Sequence, residues 1–167
     1  MADLVAVRNF AEVEPGIYRG AQPLEWWEFD WLVKERGVRR FIDLRAESKF
    51  DSKMIGELMA RHDDKDLRFT QYPVVDNQAP TVLQAERFLE EVRENQRDDV
   101  GTFFHCSHGR GRTSTFAAIL TIDHHATAKQ AMQLEADLYG YTFRNQPQID
   151  FLNHFALVHK GRQSWKN

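Results

Sequence analysis

The sequence predicts a single α/β domain with a mainly parallel central sheet of about four strands flanked by helices. Runs rich in β-branched and aromatic residues alternate with segments whose apolar residues have helical spacing. The length of 167 residues suits one domain, 1–167, with a core over about residues 16–160. The composition, 42% hydrophobic and 28% charged, is ordinary for a globular chain. A ligand site is then expected where the parallel strands end.

The first half of the chain contains three strand-like runs separated by two helical segments. Pro23 suits the first turn of a helix, and Gly37 marks the end of that helix. The aromatic rings of this segment recur at helical spacing, so we expect most of them in the core or in the wall of a groove. The predicted elements are, in order, strand 16–20, helix 23–36, strand 38–44, helix 54–62 and strand 67–72.

The second half contains one further strand and four helices. Thr81 and Thr127 each precede a segment with helical spacing, and threonine is a common N-cap residue. No repeat or low-complexity tract interrupts this part of the sequence. The predicted elements are helix 81–96, strand 100–104, helix 112–123, helix 127–138 and helix 149–159.

The stretch 105–113 joins the strand 100–104 to the helix that follows it. At such a junction the backbone N–H groups of the helix N-terminus lack helical partners and attract an anion. Gly109 and Gly111 allow backbone angles and a close approach to a ligand that a side chain would obstruct. The sequence therefore predicts a phosphate-binding loop, with Ser107, His108, Gly109, Arg110 and Gly111 as its members.

Cys106 opens this loop and is the one cysteine of the chain. A helix N-terminus and a nearby cation, here Arg112, lower a cysteine pKa from about 8.5 to roughly 3.5–7.5 and favour a nucleophilic thiolate. A buried core cysteine is one alternative, and the neighbouring glycines and arginines argue against it. A metal site from His105, Cys106 and His108 is another, but adjacent residues do not easily face one metal, and no further ligand cluster completes it. We therefore predict no metal and no cofactor.

The pattern His-Cys-x5-Arg-Thr of this stretch resembles the signature of the protein-tyrosine-phosphatase superfamily of cysteine-dependent phosphatases. Residues 17–23 also resemble small dual-specificity-like phosphatases, and residues 43–48 resemble the phosphatase-like phytases, which remove phosphates from inositol polyphosphates. The resemblance covers about residues 16–155. It implies the cysteine-phosphatase fold and a metal-independent phosphomonoester hydrolase that works through a cysteinyl-phosphate intermediate.

The resemblance also assigns roles to four residues of the loop. Cys106 is the nucleophile that accepts the phosphoryl group, and Arg112 clamps two of the phosphoryl oxygens bidentately. Thr113 donates its hydroxyl to the Cys106 sulfur, and His105 supports the loop from behind.

Asp76 is the predicted general acid, which is needed because an alkoxide is a poor leaving group. It lies in the proline-bracketed loop 73–80, about thirty residues before Cys106, and the resembled family commonly has its acid at this spacing. Asp43, Glu47 and Asp51 are competing carboxyl groups. The alternative interpretation of Asp76 is a turn residue beside Asn77.

Cationic residues around the loop indicate a substrate that carries several phosphates. His108 and Arg110 stand where many family members have uncharged residues, and two such side chains on the lip of a phosphate cradle attract a polyanion. Weaker candidates for substrate contacts are Arg19, Arg45, Lys49, Lys53, Arg144, Gln146 and Gln148. The first substrate class predicted is an inositol polyphosphate. A phosphoinositide headgroup, or a phosphoprotein acted on by a dual-specificity or tyrosine phosphatase, is the second.

Two hypotheses from other classes stay open on the sequence. A non-catalytic phosphate-binding module is one, although such modules typically lack the cysteine, the arginine or the acid, and all three are present here. A thiol redox protein is the other, and the absence of a second cysteine argues against it.

Composition also bears on partners and compartment. A net charge of −3 gives no support to nucleic-acid binding, which usually shows as a basic face. No apolar stretch approaches the roughly 20 residues that span a bilayer, and no signal-peptide pattern opens the sequence. We therefore expect a cytoplasmic enzyme that acts on a small anionic, phosphorylated molecule, with export still open if a signal sequence was removed.

Overall fold

The computed structural model describes residues 6–47, 52–62 and 66–163. These residues form five strands and six helices, and the predicted α/β alternation is confirmed. None of the helices described is long and apolar enough to cross a membrane. In chain order the elements are β1 (Ala11–Glu14), β2 (Ile17–Ala21), α1 (Trp26–Glu35), β3 (Val38–Arg45), α2 (Ser52–His62), β4 (Arg68–Val74), α3 (Val82–Arg97), β5 (Gly101–Cys106), α4 (Gly111–Asp123), α5 (Ala128–Tyr139) and α6 (Gln146–Gln163).

The sheet has the strand order β1-β2-β5-β3-β4. Strands β2, β5, β3 and β4 are parallel to one another, as predicted, whereas β1 pairs with β2 in an antiparallel hairpin. The sequence prediction missed β1. Its four residues include none that is fully buried, and an irregularity between Glu12 and Glu14 interrupts the pairing, so no clear alternation marks it.

The helix α6 begins earlier than predicted, at Gln146 rather than at residue 149. Pro147 explains the difference, because proline is tolerated in the first turn of a helix, where its missing N–H has no helical partner. The earlier start brings Gln148 into the helix. Its side chain is buried, at 1% exposure, and lies next to Gly111 in the stretch 105–113.

The parallel strands end at one edge of the sheet. Ala21 at the end of β2 lies opposite Cys106, and Asp43 near the end of β3 lies opposite His105. Arg45 in turn lies opposite Val74 at the end of β4. The loops that follow β2, β3, β4 and β5 therefore surround the cysteine.

Both faces of the sheet are covered. On one face Phe104 meets Phe88 of α3 edge to face, at a centroid distance of 5.4 Å. On the other face Phe103 meets Phe41 at 6.3 Å, next to α1. Because neighbouring residues of a strand point to opposite faces, β5 is buried on both sides. This burial gives Cys106, at the end of β5, a rigid base.

Candidate active site

The loop 107–110 turns sharply between β5 and α4. Gly109 has a positive φ of +68°, and a Cβ there would lie 2.5 Å from both the Gly20 carbonyl carbon and the Ala21 nitrogen. A contact this short with backbone cannot relax, so only glycine fits. The loop is thus pressed against the end of β2, which fixes the direction of its backbone N–H groups.

Cys106 lies at the base of the loop with 4% of its surface exposed. The Thr113 hydroxyl donates a hydrogen bond to its Sγ at 3.0 Å, as the family resemblance implied. Burial raises the pKa of the Cys106 thiol, but hydrogen bonds from Thr113 and from the backbone N–H groups of Arg110 and His108 outweigh it and lower the pKa overall. The site therefore favours the thiolate, which is the nucleophilic form.

His105 lies beneath the loop and is 5% exposed. Its Nδ1 is 3.4 Å from the carbonyl oxygen of Cys106, and its ring stacks on Phe103. Burial lowers the pKa of His105 to about 4, although the nearby Asp43 carboxylate acts in the opposite direction. The imidazole is therefore neutral near pH 7 and supports the loop from behind, where it was expected.

Arg112, in the first turn of α4, is 3% exposed and forms a two-pronged ion pair with Glu47. Its Nη1 and Nη2 donate to the two carboxylate oxygens at 2.7 and 2.8 Å, and Nη1 also donates to the Val74 carbonyl at 3.0 Å. These bonds hold the guanidinium plane at the rim of the loop. The Nε atom is buried and has no hydrogen-bond partner in the protein, so it is a donor in place for a ligand oxygen.

Asp76 comes two residues after the end of β4, and the structure brings it to this rim. Its Oδ1 is 3.4 Å from Nη2 of Arg112, and its side chain is 70% exposed. Asn77 has a φ of +60° and donates to Asp76 Oδ2 at 3.3 Å, so the pair also shapes a turn. Asp76 thus faces both the cleft and solvent, where a proton donor is needed.

The competing carboxyl groups are less suited to donate a proton. Hydrogen bonds from Arg112 lower the pKa of Glu47 to about 2, so Glu47 stays ionised at neutral pH. Asp43 is fully buried and is bound at 2.7 Å by Arg45. Asp51 lies outside the described residues.

Arg19 and Arg45 are both engaged in ion pairs with buried carboxyl groups. Arg19 is 2% exposed, pairs with Glu135 of α5, and donates to the Gly109 carbonyl at 3.1 Å and to Ser114 Oγ at 2.8 Å. Arg45 folds back onto Asp43 and also binds the Gln22 side chain. Buried cations need such partners, and sequence spacing does not show them.

The remaining cationic candidates differ in position. His108 and Arg110 are exposed on the loop, and Arg144 is exposed on the connection before α6. Lys49 and the side chain of Lys53 lie outside what the structure describes.

The two glutamine candidates for substrate contacts, Gln146 and Gln148, also differ in position. Gln146 is exposed and donates along the helix surface to Asp150 at 2.7 Å, so its amide is engaged away from the loop. Gln148 accepts a hydrogen bond from the Tyr141 hydroxyl and donates to the Gln78 carbonyl, both at 3.3 Å. A Cβ on Gly111 would lie 3.3 Å from its Nε2. Gln148 therefore connects α6, the Asp76 loop and the cysteine loop.

Sequence reasoning missed the glutamates that hold the two arginines. Glu47 was considered only as a competing acid, and no role was predicted for Glu135. Glu47 lies in the segment 43–48, and the likeness of that segment to the phytases was the one available signal. Glu135 is 116 residues from Arg19 in the chain, and no local pattern points to that pairing.

Within the described residues, no three His, Cys, Asp or Glu side chains are grouped so as to hold a metal ion. The groups that donate hydrogen bonds to Cys106 are backbone N–H groups and the Thr113 hydroxyl, and Arg112 interacts with Cys106 through its charge. These groups suit an anion at the loop.

The fold is shared with solved phosphatase structures. The PP-IP phosphatase SIW14 of S. cerevisiae, in complex with citrate, superimposes with a TM-score of 0.76 at 16% identity, over 99% of this chain and 96% of that chain. PTPMT1 superimposes with a TM-score of 0.77 at 20% identity, over 95% of this chain and 99% of that chain. PTPMT1 in complex with PI(5)P gives a TM-score of 0.76 at 20% identity, over 92% and 98% of the two chains.

A family profile gives the assignment. No curated protein matches the chain. The profile of the family described as "DSP-PTPase phosphatase fused to NAD+ Kinase" matches residues 7–150, which is most of the sequence and includes the whole cysteine loop. The predicted membership in the cysteine-dependent phosphatases is thereby confirmed. The chain belongs to this family of dual-specificity-type phosphatases and is a cysteine-dependent phosphatase.

Proposed function

We propose that the chain hydrolyses phosphomonoesters in two steps through a phosphoryl group on Cys106. In the first step the thiolate bonds to phosphorus, the bond to the leaving oxygen breaks, and Asp76 gives that oxygen a proton. In the second step Asp76 takes a proton from water as the water oxygen attacks phosphorus. The sulfur–phosphorus bond then breaks, inorganic phosphate leaves and the thiolate is restored.

The hydrogen-bonded sulfur of Cys106 is the observation that carries this proposal. Its pKa is lowered at a site that is almost closed to solvent, and the donors responsible are part of the loop itself. The unpartnered Nε of Arg112 adds a donor for a phosphoryl oxygen. Groups of this kind stabilise negative charge on the transferring phosphoryl group without a metal ion.

The position of Asp76 supports its role as acid and then base. Its carboxyl group is exposed and lies 3.4 Å from Arg112, at the rim of the loop, where an acid can meet the oxygen of a substrate held by Arg112. Glu47 is unsuitable because its pKa of about 2 keeps it ionised. Asp76 is accordingly the acid we assign, and its role is open to direct test by substitution.

The proposed substrate is a small polyanion, in the first place a myo-inositol polyphosphate. His108 and Arg110 are exposed on the outside of the loop, where they can meet phosphates other than the reacting one. The similar proteins agree in kind, since one is named a PP-IP phosphatase and another was crystallised with PI(5)P. Arg19 and Arg45 are engaged in ion pairs. Among the described residues, the proposal of a polyanionic substrate therefore rests on His108 and Arg110 of the loop, and not on a wider basic cleft.

Phosphate release in the presence of a chelator tests both the reaction and the substrate. We would compare inositol hexakisphosphate, a PI(5)P headgroup and a phosphotyrosine peptide, using the wild type, Cys106→Ser, and Arg97→Gln as a control far from the loop. We expect the wild type to release phosphate from inositol hexakisphosphate. Cys106→Ser should abolish this release, and Arg97→Gln should preserve it. Preference for the headgroup or the peptide would reassign the substrate, and release that persists in Cys106→Ser would contradict the mechanism.

A further inference from the structure

A second cavity adjoins the phosphate loop on the side of β2, opposite Glu47 and Asp76. Its volume is about 210 Å³. Gly109 and Arg110 of the loop form one wall, the N-terminal segment forms another, and the connection between α5 and α6 closes it. The main lining side chains are Asn9, Phe10, Arg110, Leu138, Tyr139 and Tyr141. Of these side chains, Arg110 is the one that the sequence predicts to meet a substrate.

The floor of this cavity is rigid. Arg19 lies there, tied to Glu135, to Ser114 and to the Gly109 carbonyl, and its guanidinium stacks on Tyr139 at 4.6 Å. The amide of Asn9 donates to the His108 carbonyl at 2.7 Å and joins the N-terminal segment to the loop. The cavity is thus already formed in the free protein, so a ligand would not have to order it.

The chemistry of the lining combines apolar faces with positive charge. Phe10, Tyr139 and Tyr141 contribute rings, and Leu138 is 61% exposed at the rim. Among the residues that line the cavity, two are arginines and none is acidic. Arg19 is neutralised by Glu135, so Arg110 supplies the accessible charge. Such a lining suits a ring that carries an anionic substituent.

The cavity lies beside the start of α4. Tyr141 lines it, and the Tyr141 hydroxyl donates to Gln148 and lies 3.4 Å from the position that a Cβ on Gly111 would occupy. Burial raises the pKa of Tyr141, and the charges of Cys106, Glu135 and Asp76 raise it further. Tyr141 is therefore near both the cavity and the charged groups of the reacting centre.

We propose that this cavity is a substrate subsite that takes a phosphorylated ring, with a second, non-reacting phosphate paired to Arg110 at its mouth. The inference rests on the proposed phosphatase reaction and assigns to the polyanionic substrate a ring that carries at least two phosphates. Inositol phosphates and nucleoside phosphates share this chemistry. The volume of about 210 Å³ is below that of a site for a large ligand and suits one ring system.

The test measures the advantage that a second phosphate gives. For the wild type we would determine kcat/KM for an inositol monophosphate and bisphosphate, and for adenosine monophosphate and bisphosphate, with p-nitrophenyl phosphate as a ringed substrate without a second phosphate. The subsite predicts a bisphosphate preference of about fivefold or more in at least one pair, as expected for a partly screened ion pair. The pair that shows it identifies the ring.

Two substitutions then locate the effect. Leu138→Glu puts a negative charge at the rim, and Arg110→Gln removes the positive one; each should lower the bisphosphate-to-monophosphate ratio by about threefold to tenfold. Leu157→Glu, at a leucine 74% exposed on α6, and Arg97→Gln are the matched controls and should leave the ratio unchanged.

Equal kcat/KM values within both pairs for the wild type, or a ratio that Leu138→Glu leaves intact, would overturn the subsite while phosphatase activity remained. Failure to release phosphate from any of the five compounds would instead refute the proposed function. The two failures are therefore distinguishable in one experiment.

Discussion

Two arginine–glutamate pairs flank the phosphate loop, and they differ chiefly in the burial of the glutamate. Arg19 and Glu135 are each 2% exposed, on the side of β2 and α5. Arg112 is 3% exposed, but its partner Glu47 is 50% exposed, on the side of β3 and β4. The same two residue types therefore form one closed pair and one pair that opens to the cleft.

This difference in burial indicates different roles for the two arginines: Arg19 supports the loop, and Arg112 is available to bind an anion. Arg19 directs its hydrogen bonds into the protein, to Glu135, Ser114 and the Gly109 carbonyl, and so braces the loop. Arg112 is held in place by Glu47 yet keeps its Nε without a partner. A buried ion pair is costly to break, whereas an accessible one leaves room for an incoming anion. The following substitutions test this division.

Arg112→Lys is expected to have the largest effect. Lysine keeps the charge but lacks the planar fork, so kcat/KM for p-nitrophenyl phosphate should fall about a thousandfold. The free energy of unfolding should fall by only about 1 kcal/mol, because Lys can still pair with the half-exposed Glu47. Steady-state kinetics and urea unfolding measure the two quantities, with Arg97→Lys as control. Turnover within tenfold of the wild type would contradict the binding role of Arg112.

Arg19→Met should affect stability more than turnover. It leaves Glu135 as a buried carboxyl group without its counterion, so the free energy of unfolding should fall by about 3 kcal/mol, while kcat/KM of the folded enzyme stays within about tenfold. The double variant Arg19→Met, Glu135→Gln should recover about half of the lost stability. Arg112→Met, which leaves the half-exposed Glu47 without its partner, is the matched control in urea unfolding, and equal losses for the two single substitutions would remove the distinction between the pairs.

Asp76→Asn tests the proposed acid, which lies on the same side of the loop as Arg112 and Glu47. It should lower kcat/KM for an inositol phosphate about a hundredfold, because this quantity reports the first step, in which the leaving alkoxide needs a proton. The loss should be smaller for p-nitrophenyl phosphate, whose leaving group is stable as an anion. Asp98→Asn, on the turn at the other end of the sheet, serves as control. An unchanged rate, or equal losses for both substrates, would show that Asp76 is not the acid.

The pH dependence of stability should differ in sign between the two glutamates, and this is the smallest effect. Hydrogen bonds from Arg112 lower the pKa of Glu47 to about 2, so its contribution is present above about pH 4.5 and is lost as the pH falls toward 2. Burial raises the pKa of Glu135, with Arg19 acting against it, so its contribution is present below about pH 4.5 and is lost as the pH rises through the folded-state value.

Urea unfolding of Glu47→Gln and Glu135→Gln across pH 3 to 7 measures this. Relative to the wild type, the stability deficit of Glu47→Gln should shrink on acidification, by at most about 1 kcal/mol because the group is half exposed. The deficit of Glu135→Gln should not shrink in the same way. Parallel curves for the two variants would contradict the assigned shifts.

The local sequence was sufficient to predict the phosphate-binding loop. The strand, the two glycines and the helix are contiguous, so the spacing of Cys106, Arg112 and Thr113 indicated how they would meet, and the structure places them so. The mainly parallel sheet was predictable for the same reason, because each βα unit is marked by its own periodicity. Only the short edge strand β1, with no buried stripe, gave no such signal.

Partners distant in sequence were not predictable. Arg112 and Glu47 are 65 residues apart, and Arg19 and Glu135 are 116 apart, so only the folded sheet edge brings them together. Cations near a phosphate loop were therefore interpreted as substrate contacts, whereas the structure shows Arg19 and Arg45 in ion pairs with Glu135 and Asp43. Whether an arginine is free or already paired depends on tertiary structure, and composition does not show it.

Trapping the phosphoryl group tests the central proposal most directly. Asp76→Asn should react with p-nitrophenyl phosphate faster than its intermediate is hydrolysed, because the first step then needs no acid and the second lacks its base. Rapid acid quench and peptide mass spectrometry should find one phosphoryl group on the peptide that contains Cys106, and none in Cys106→Ala. Continued phosphate release with no phosphorylated Cys106, or a phosphoryl group on another residue, would contradict the account.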